Sequence, residues 1–255
     1  MSGEAGFSPI FITATVSITA LLLVAVWQIV SAVQGRSAPV SYTTEIASST
    51  GADGAEDNQV VAGVGTTPIG SALLDGLVAK YLSLQDKGLY TPEAGAAEAQ
   101  KMAETLEAPI SFKLYTKADI TTSADTSHAR MLSYRADLQT SLAPLLKNTQ
   151  PEYEIFAYYV STKDKKNLEK LRSVAEDYRA AVSATAEVIP PKDALLQHLG
   201  ILNAMGEFSA TLDGLAANAD DPFASVVLLR SYNGAEADVL AAFQALATYY
   251  REKQS

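Results

Sequence analysis

No charged side chain lies between Glu4 and Arg36, and residues 10–30 within that interval form an almost unbroken apolar run, from Ile10-Phe11-Ile12 to Gln28-Ile29-Val30. At 1.5 Å per residue, about 20 helical residues cross the roughly 30 Å hydrocarbon core of a bilayer. The run therefore predicts a single transmembrane helix over residues 9–33, behind a short tail of residues 1–8. Pro9 suits the first helical turn, where its missing N–H costs nothing. The Thr and Ser hydroxyls within the run can return hydrogen bonds to the helix backbone. Trp27 stands near the far end, where interfacial tryptophan collects.

Two other accounts fit less well. A cleaved secretory signal needs a basic n-region and a short apolar core, whereas this tail carries Glu4 and no Lys or Arg, and its apolar run is long. A buried helix of a globular body does not explain the polar stretch that follows. For orientation, Arg36 alone favours a cytoplasmic C-terminal side. The acidic Ser/Thr/Ala-rich segment beyond it points the other way, and the reading adopted is N-terminus in, body extracytoplasmic.

Ahead of the apolar run, Gly6-Phe7-Ser8 resembles the processing site of type IV prepilins, where cleavage after a glycine exposes an aromatic first residue. The resemblance covers only the N-terminal segment and departs from that family in two places. A basic leader is absent, and Phe11 occupies the position at which the family carries an acidic side chain. It implies a pilin-like surface assembly component as an alternative role.

Residues 34–68 combine Ser, Thr, Gly, Ala and Pro with Glu45, Asp53, Glu56 and Asp57 and no base after Arg36, which predicts a flexible acidic linker. From there the periodicity becomes helical through residues 69–255. Ile69, Leu73, Leu77, Tyr81 and Leu84 recur at three- and four-residue steps, ending at Lys87-Gly88. Thr91-Pro92-Glu93 opens a second helix. Asp125-Thr126-Ser127 opens a third, with Met131, Leu132, Leu138, Leu142, Leu145 and Leu146 inward and Pro144 as a kink or break. An element from Pro151 carries Tyr153, Phe156, Tyr159 and Val160, then Leu168, Leu171, Val174 and Tyr178. The interval at residues 163–166 reads equally as exposed helix or loop. Pro190-Pro191 ends it, and the next helix carries Leu195, Leu199, Leu202, Met205, Phe208 and Leu212. Asp220-Asp221-Pro222 caps another, and Tyr232-Asn233-Gly234 predicts a break before a final helix with Val239, Leu240, Phe243, Leu246 and Tyr250. The fold class is all-α: an antiparallel helical bundle, rather than an elongated repeat array, behind one transmembrane helix and a flexible linker.

Chemistry is sparse. The chain lacks cysteine and carries 29 acidic against 19 basic residues, a net charge of −10 that excludes electrostatic nucleic-acid binding. No phosphate-loop, HExxH, CxxC or EF-hand pattern occurs, so no catalytic, cofactor-binding or metal-ligating residue is assigned and no cofactor is expected. His128 and His198 have no ligand spacing with Glu207 or Asp213 and read as structural or surface histidines. Lys165, Lys166, Lys170 and Arg172 alternate with Glu169, Glu176 and Asp177, as on a solvated, ion-paired face. Among 12 tyrosines, Tyr153, Tyr158, Tyr159, Tyr249 and Tyr250 are candidate interface residues, although locking helix against helix is the plainer role for such rings. Tyr178, His198 and Tyr232 are the candidates for a pocket between helices.

These features together suggest a non-enzymatic, membrane-anchored extracytoplasmic helical domain with a structural or protein-binding role at the cell envelope. Its expected partners are the lipid bilayer, through residues 9–33, and a protein. A ligand-sensing bundle acting through a membrane partner and a membrane-tethered enzyme are the alternatives. A binding surface predicts an exposed apolar or aromatic patch, a sensor predicts an enclosed site with converging polar groups, and an enzyme predicts clustered groups of shifted pKa.

Overall fold

A computed structural model describes residues 67–105 and 108–254. The N-terminal tail, the prepilin-like site, the apolar run at 9–33 and the linker as far as residue 66 lie outside them. No helix among the described residues is long and apolar enough to cross a membrane.

Seven α-helices and no strand make up the described residues: α1 (Pro68–Asp86), α2 (Pro92–Thr105), α3 (His128–Ser141), α4 (Glu152–Thr162), α5 (Lys165–Ala186), α6 (Leu195–Ala217) and α7 (Pro222–Gln254). Local chemistry sets most of their ends. Helix α1 closes on Gly88 at φ +64°, with the Leu89 N–H reaching back to the Leu84 carbonyl at 2.9 Å and the Gly88 N–H to that of Gln85; only a residue without Cβ takes that conformation cheaply. Thr91 caps α2 by accepting the Ala94 N–H at 3.1 Å, and Ser127 caps α3 through Arg130. Pro144 ends α3 rather than kinking it, and a 3-10 turn follows over Ala143–Lys147. Lys163 takes a left-handed φ of 56° and Asp164 caps the next helix, so the interval at 163–166 divides into a two-residue turn, Lys163 and Asp164, and the first residues of α5, Lys165 and Lys166.

Helix α6 is the axis of the bundle, packed between α5 and α7. Apolar residues surround it, its only charges are Glu207 and Asp213, and 12 of its 23 residues are buried, as a helix covered on all sides requires. One part of the core gathers Ile155, Phe156, Leu171, Phe208, Leu212 and Leu228, joining α4 to the first halves of α5 and α7. The other gathers Met131, Tyr134, Leu138, Ile201, Leu202 and Met205, seating α3 against the start of α6 and the end of α7.

The connection at 108–127 is extended and clamped twice. Asn203 on α6 accepts the Tyr115 N–H at 2.7 Å and donates to the Tyr115 carbonyl at 3.1 Å. Ser123 exchanges backbone hydrogen bonds with Pro190 and Lys192, both at 2.9 Å.

Three expectations are corrected. There is no break at Tyr232-Asn233-Gly234, because α7 runs through it; a glycine inside a helix costs only about 1 kcal/mol, which the burial of Tyr232 and Ala235 on either side offsets. Leu132 and Leu146 face solvent, at 45% and 80% exposure, because Met131, Tyr134 and Leu138 already fill the inward stripe of α3 and Leu146 lies in the 3-10 turn. Val160 likewise lies on the outer side of α4, while Ile155, Phe156 and Tyr159 point in.

Candidate functional site

The residues considered for a pocket divide between the two parts of the core. Tyr178 of α5 and Tyr232 of α7 flank Phe208 of α6, with ring centroids 4.9 and 5.2 Å from it. Tyr178 donates to Glu152 at 3.4 Å and Tyr232 donates to Glu236, one turn along α7, at 3.1 Å. Burial, then the nearby carboxylates, raises the pKa of both phenols, and burial followed by the Glu236 charge raises that of Glu152. The phenols therefore stay neutral and donate, the carboxylates accept, and the four groups form a paired polar seam linking α4, α5 and α7.

His198 sits in the other part, fully buried, with Nδ1 3.1 Å from the Tyr134 hydroxyl. Burial holds its imidazole down at about 4, against the pull of the Thr185 backbone, and Nε2 makes no hydrogen bond. His128, by contrast, is exposed as the first residue of α3. No group of three or more His, Asp or Glu side chains is arranged to hold a metal ion among the described residues.

The five interface tyrosines also separate. Tyr153 and Tyr158 stand on the surface of α4, at 52% and 54% exposure. Tyr159 is buried and donates to Asp220, whose carboxylate is the main cause of a phenol pKa raised to about 12, while Lys163 lies 5.0 Å above its ring. Tyr249 is buried and donates to Asp193 at 3.1 Å, beside the Lys253–Asp193 ion pair at 2.7 Å. Tyr250 is half-buried against Tyr134 and Tyr249, and burial raises its pKa to about 12. These last three fasten helix ends. On the basic face of α5, Lys170 bonds Gln150 and Arg172 bonds the Ala216 carbonyl, and the ion pairs run instead from Arg179 to Glu176 and Asp213 and from Lys147 to Asp177.

The densest exposed apolar surface lies on the hairpin of α1 and α2, which the sequence reasoning did not single out. Five of the 14 large exposed hydrophobic side chains among the described residues fall in residues 78–90: Val78, Tyr81, Leu82, Leu89 and Tyr90. One side of α1 is covered. Ile69 packs on the core, Gly70 lies against Asp221, Leu73 is buried, and farther along Gly76 meets Met102 and Lys80 pairs with Glu98 at 3.6 Å. The other side is mostly open among the described residues: Val78 and Leu82 are exposed, Leu74 is half-buried, and Tyr81, itself exposed, meets the edge of the Tyr90 ring at 4.8 Å between centroids. A signal was present in the sequence: Leu74, Val78 and Leu82 lie off the stripe through Ile69, Leu73 and Leu77, so the apolar surface of the helix is broader than one inward face needs.

A groove of about 280 Å³ also opens between the extended segment, α5 and α6, lined among others by Phe112, Lys113, Arg179, Ser183, Gly206 and Asp213. None of Tyr178, His198 and Tyr232 lines it. The chain matches no protein family, no curated protein and no solved structure. Fold and surface together define an all-α helical domain with an apolar surface on the hairpin of α1 and α2.

Proposed function

We propose that this protein is a non-enzymatic, single-pass membrane protein whose helical body lies on the extracytoplasmic side and acts by binding another protein at the cell envelope. The observation that carries the reading is the uncovered apolar face of α1, with Val78 and Leu82 each 49% exposed beside Tyr81 at 43%. A contiguous apolar patch of this kind on a soluble body marks an interaction site more often than chance exposure. The apolar run at 9–33 supports the anchor, and tethering raises the effective concentration of the body towards partners on the same surface.

The test is site-specific photo-crosslinking from position 82 in intact cells, combined with alkaline extraction of membranes. The expected result is a chain that resists extraction and yields a discrete heavier adduct from position 82 but not from position 117 on the exposed turn of the extended segment. Release by alkali overturns the anchor, and absence of an adduct overturns binding through this face.

The groove beside Phe112 favours a second reading, a ligand-sensing domain acting through a membrane partner. Lys113 offers positive charge beside the Arg179–Asp213 ion pair, with Phe112 and Val182 among the apolar lining. Binding of a small zwitterion, lost in Arg179→Ala and retained in Leu82→Glu, would favour it over the first.

A further inference from the structure

The uncovered face of α1 also carries charge information. Leu74, Val78 and Tyr81 follow one another at four- and three-residue steps, the spacing of a helix–helix seam, with Leu82 broadening it. Asp75 and Asp86 lie along the flank next to Leu82, about three turns apart, both exposed and neither in an ion pair among the described residues. The bases of the helix are on the far side: Lys80 turns towards α2 to pair with Glu98, and Lys87 lies on that same side, at the C-cap. Of the charges that α1 itself carries, those edging the stripe are thus the two aspartates.

We infer that this face docks an amphipathic helix of another protein whose apolar stripe is flanked by Lys or Arg, laid along α1 as one more helix of the bundle. The inference rests on the protein-binding reading above and specifies its partner. A helix-in-groove contact uses apolar anchors at three- and four-residue intervals, which Leu74, Val78 and Tyr81 supply. Charge selects among the possible occupants. In an antiparallel two-fold contact with a second copy the two acidic flanks would fall on the same side, and like charges so placed oppose pairing; in a parallel contact each acidic flank would meet the other edge of the stripe, to which α1 contributes no unpaired base. The same flank disfavours an anionic lipid surface. A basic flank instead neutralises Asp75 and Asp86 and accelerates encounter.

The test uses the full chain in lipid nanodiscs and two synthetic amphipathic peptides of about three heptads, alike except that one carries Lys and the other Glu along one flank. The expected result is saturable binding of the Lys peptide at least about tenfold tighter than of its Glu twin at low salt, with the gap narrowing as salt rises. Leu82→Glu, an exposed position whose change leaves helix content intact, should weaken Lys-peptide binding about tenfold or more. Asp75→Lys with Asp86→Lys should reverse the preference between the twins. Equal binding of the two, or no saturable binding of either, overturns the inference. Concentration-dependent dimerisation abolished by Leu82→Glu also overturns it, by giving the face to a second copy. If the peptides fail while the in-cell adduct from position 82 persists, only the basic-helix partner is lost. If the adduct is missing too, the protein-binding reading falls with it.

Discussion

Asp221 binds Thr67 across 154 residues of chain. One of its carboxylate oxygens accepts the Thr67 N–H at 2.5 Å and the Thr67 hydroxyl at 2.8 Å. The other accepts the N–H groups of Phe223 and Ala224, at 2.9 and 3.1 Å, and so caps α7. Thr67 in turn caps α1 through the Gly70 N–H. The first turns of two helices therefore converge on one buried carboxylate, at the point where the described body begins. Positive helix N-termini and four donors suit an anion placed there.

Removing that carboxylate should loosen α1 before the rest of the bundle. Asp221→Ala leaves buried donors without an acceptor and is expected to cost about 2–4 kcal/mol. Gly70 is part of the same contact, since a Cβ there would lie 2.1 Å from the nearer Asp221 oxygen. Gly70→Ala alone should cost about 1–3 kcal/mol through the forced shift. In the Asp221→Ala background its cost should nearly vanish. Urea unfolding of the four members of this cycle reads the coupling, and strict additivity would mean that the two residues do not share one contact.

His198 makes stability depend on pH. Its folded-state pKa is held at about 4 by burial, below an ordinary histidine value of about 6.5. Between those values the unfolded chain takes up a proton that the folded chain refuses. Stability should therefore be full near pH 7 and fall as the pH drops towards 4, by roughly 3 kcal/mol from this residue. His198→Gln removes the titration, so the stability difference between wild type and variant should shrink on acidification. A difference that stays constant from pH 7 to pH 4.5 would count against a buried neutral imidazole.

Glu152 works in the opposite direction. Burial and then the Glu236 charge raise its folded-state pKa, so the folded chain holds this proton more tightly than the unfolded one. The stabilisation is full below the unfolded-chain value and is lost as the pH rises through the raised folded-state value. Glu152→Gln mimics the protonated form and should raise the urea midpoint at pH 7, with the gain fading towards pH 4. Glu236→Gln, by removing the neighbouring charge, should bring the Glu152 titration closer to an ordinary carboxylate, as followed by carbon-13 NMR of the side-chain carboxyl.

The fold was legible where local chemistry speaks. Thr91, Ser127 and Asp221 are capping residues by type, Gly88 and the prolines mark ends, and the inward stripes follow the helical period. The surface was less legible because a period shows which residues share a face, while burial depends on what covers that face. Tyr159 and Tyr249 are amphipathic enough for either side of an interface; Asp220 and Asp193, distant in sequence, take their hydroxyls and let the rings sink inward. Tyr178 and Tyr232, named with His198 as pocket candidates, stand on either side of Phe208, and the carboxylates that take their hydroxyls, Glu152 and Glu236, carry no mark of that pairing in the sequence. Asn203, which clamps the extended segment through Tyr115, gives no sign of that role in the sequence.

Gly234 tests the same point from the helix interior. Turn-forming residues at 232–234 suggested a break, but α7 continues past them. Tyr232 at 2% exposure and Ala235 at 1% are buried on the inner side, while Gly234 faces outward and a Cβ there would meet nothing within 4 Å. If packing of those neighbours holds the helix straight against a weak local propensity, the glycine contributes only its excess unfolded-state entropy. Gly234→Ala should then stabilise the protein by about 0.5–1 kcal/mol. That is a rise in Tm of about 2–4 °C at the upper end, measurable by thermal unfolding. A lower Tm would mean that α7 needs the freedom of this residue, and the sequence signal for a break would then reflect a real hinge.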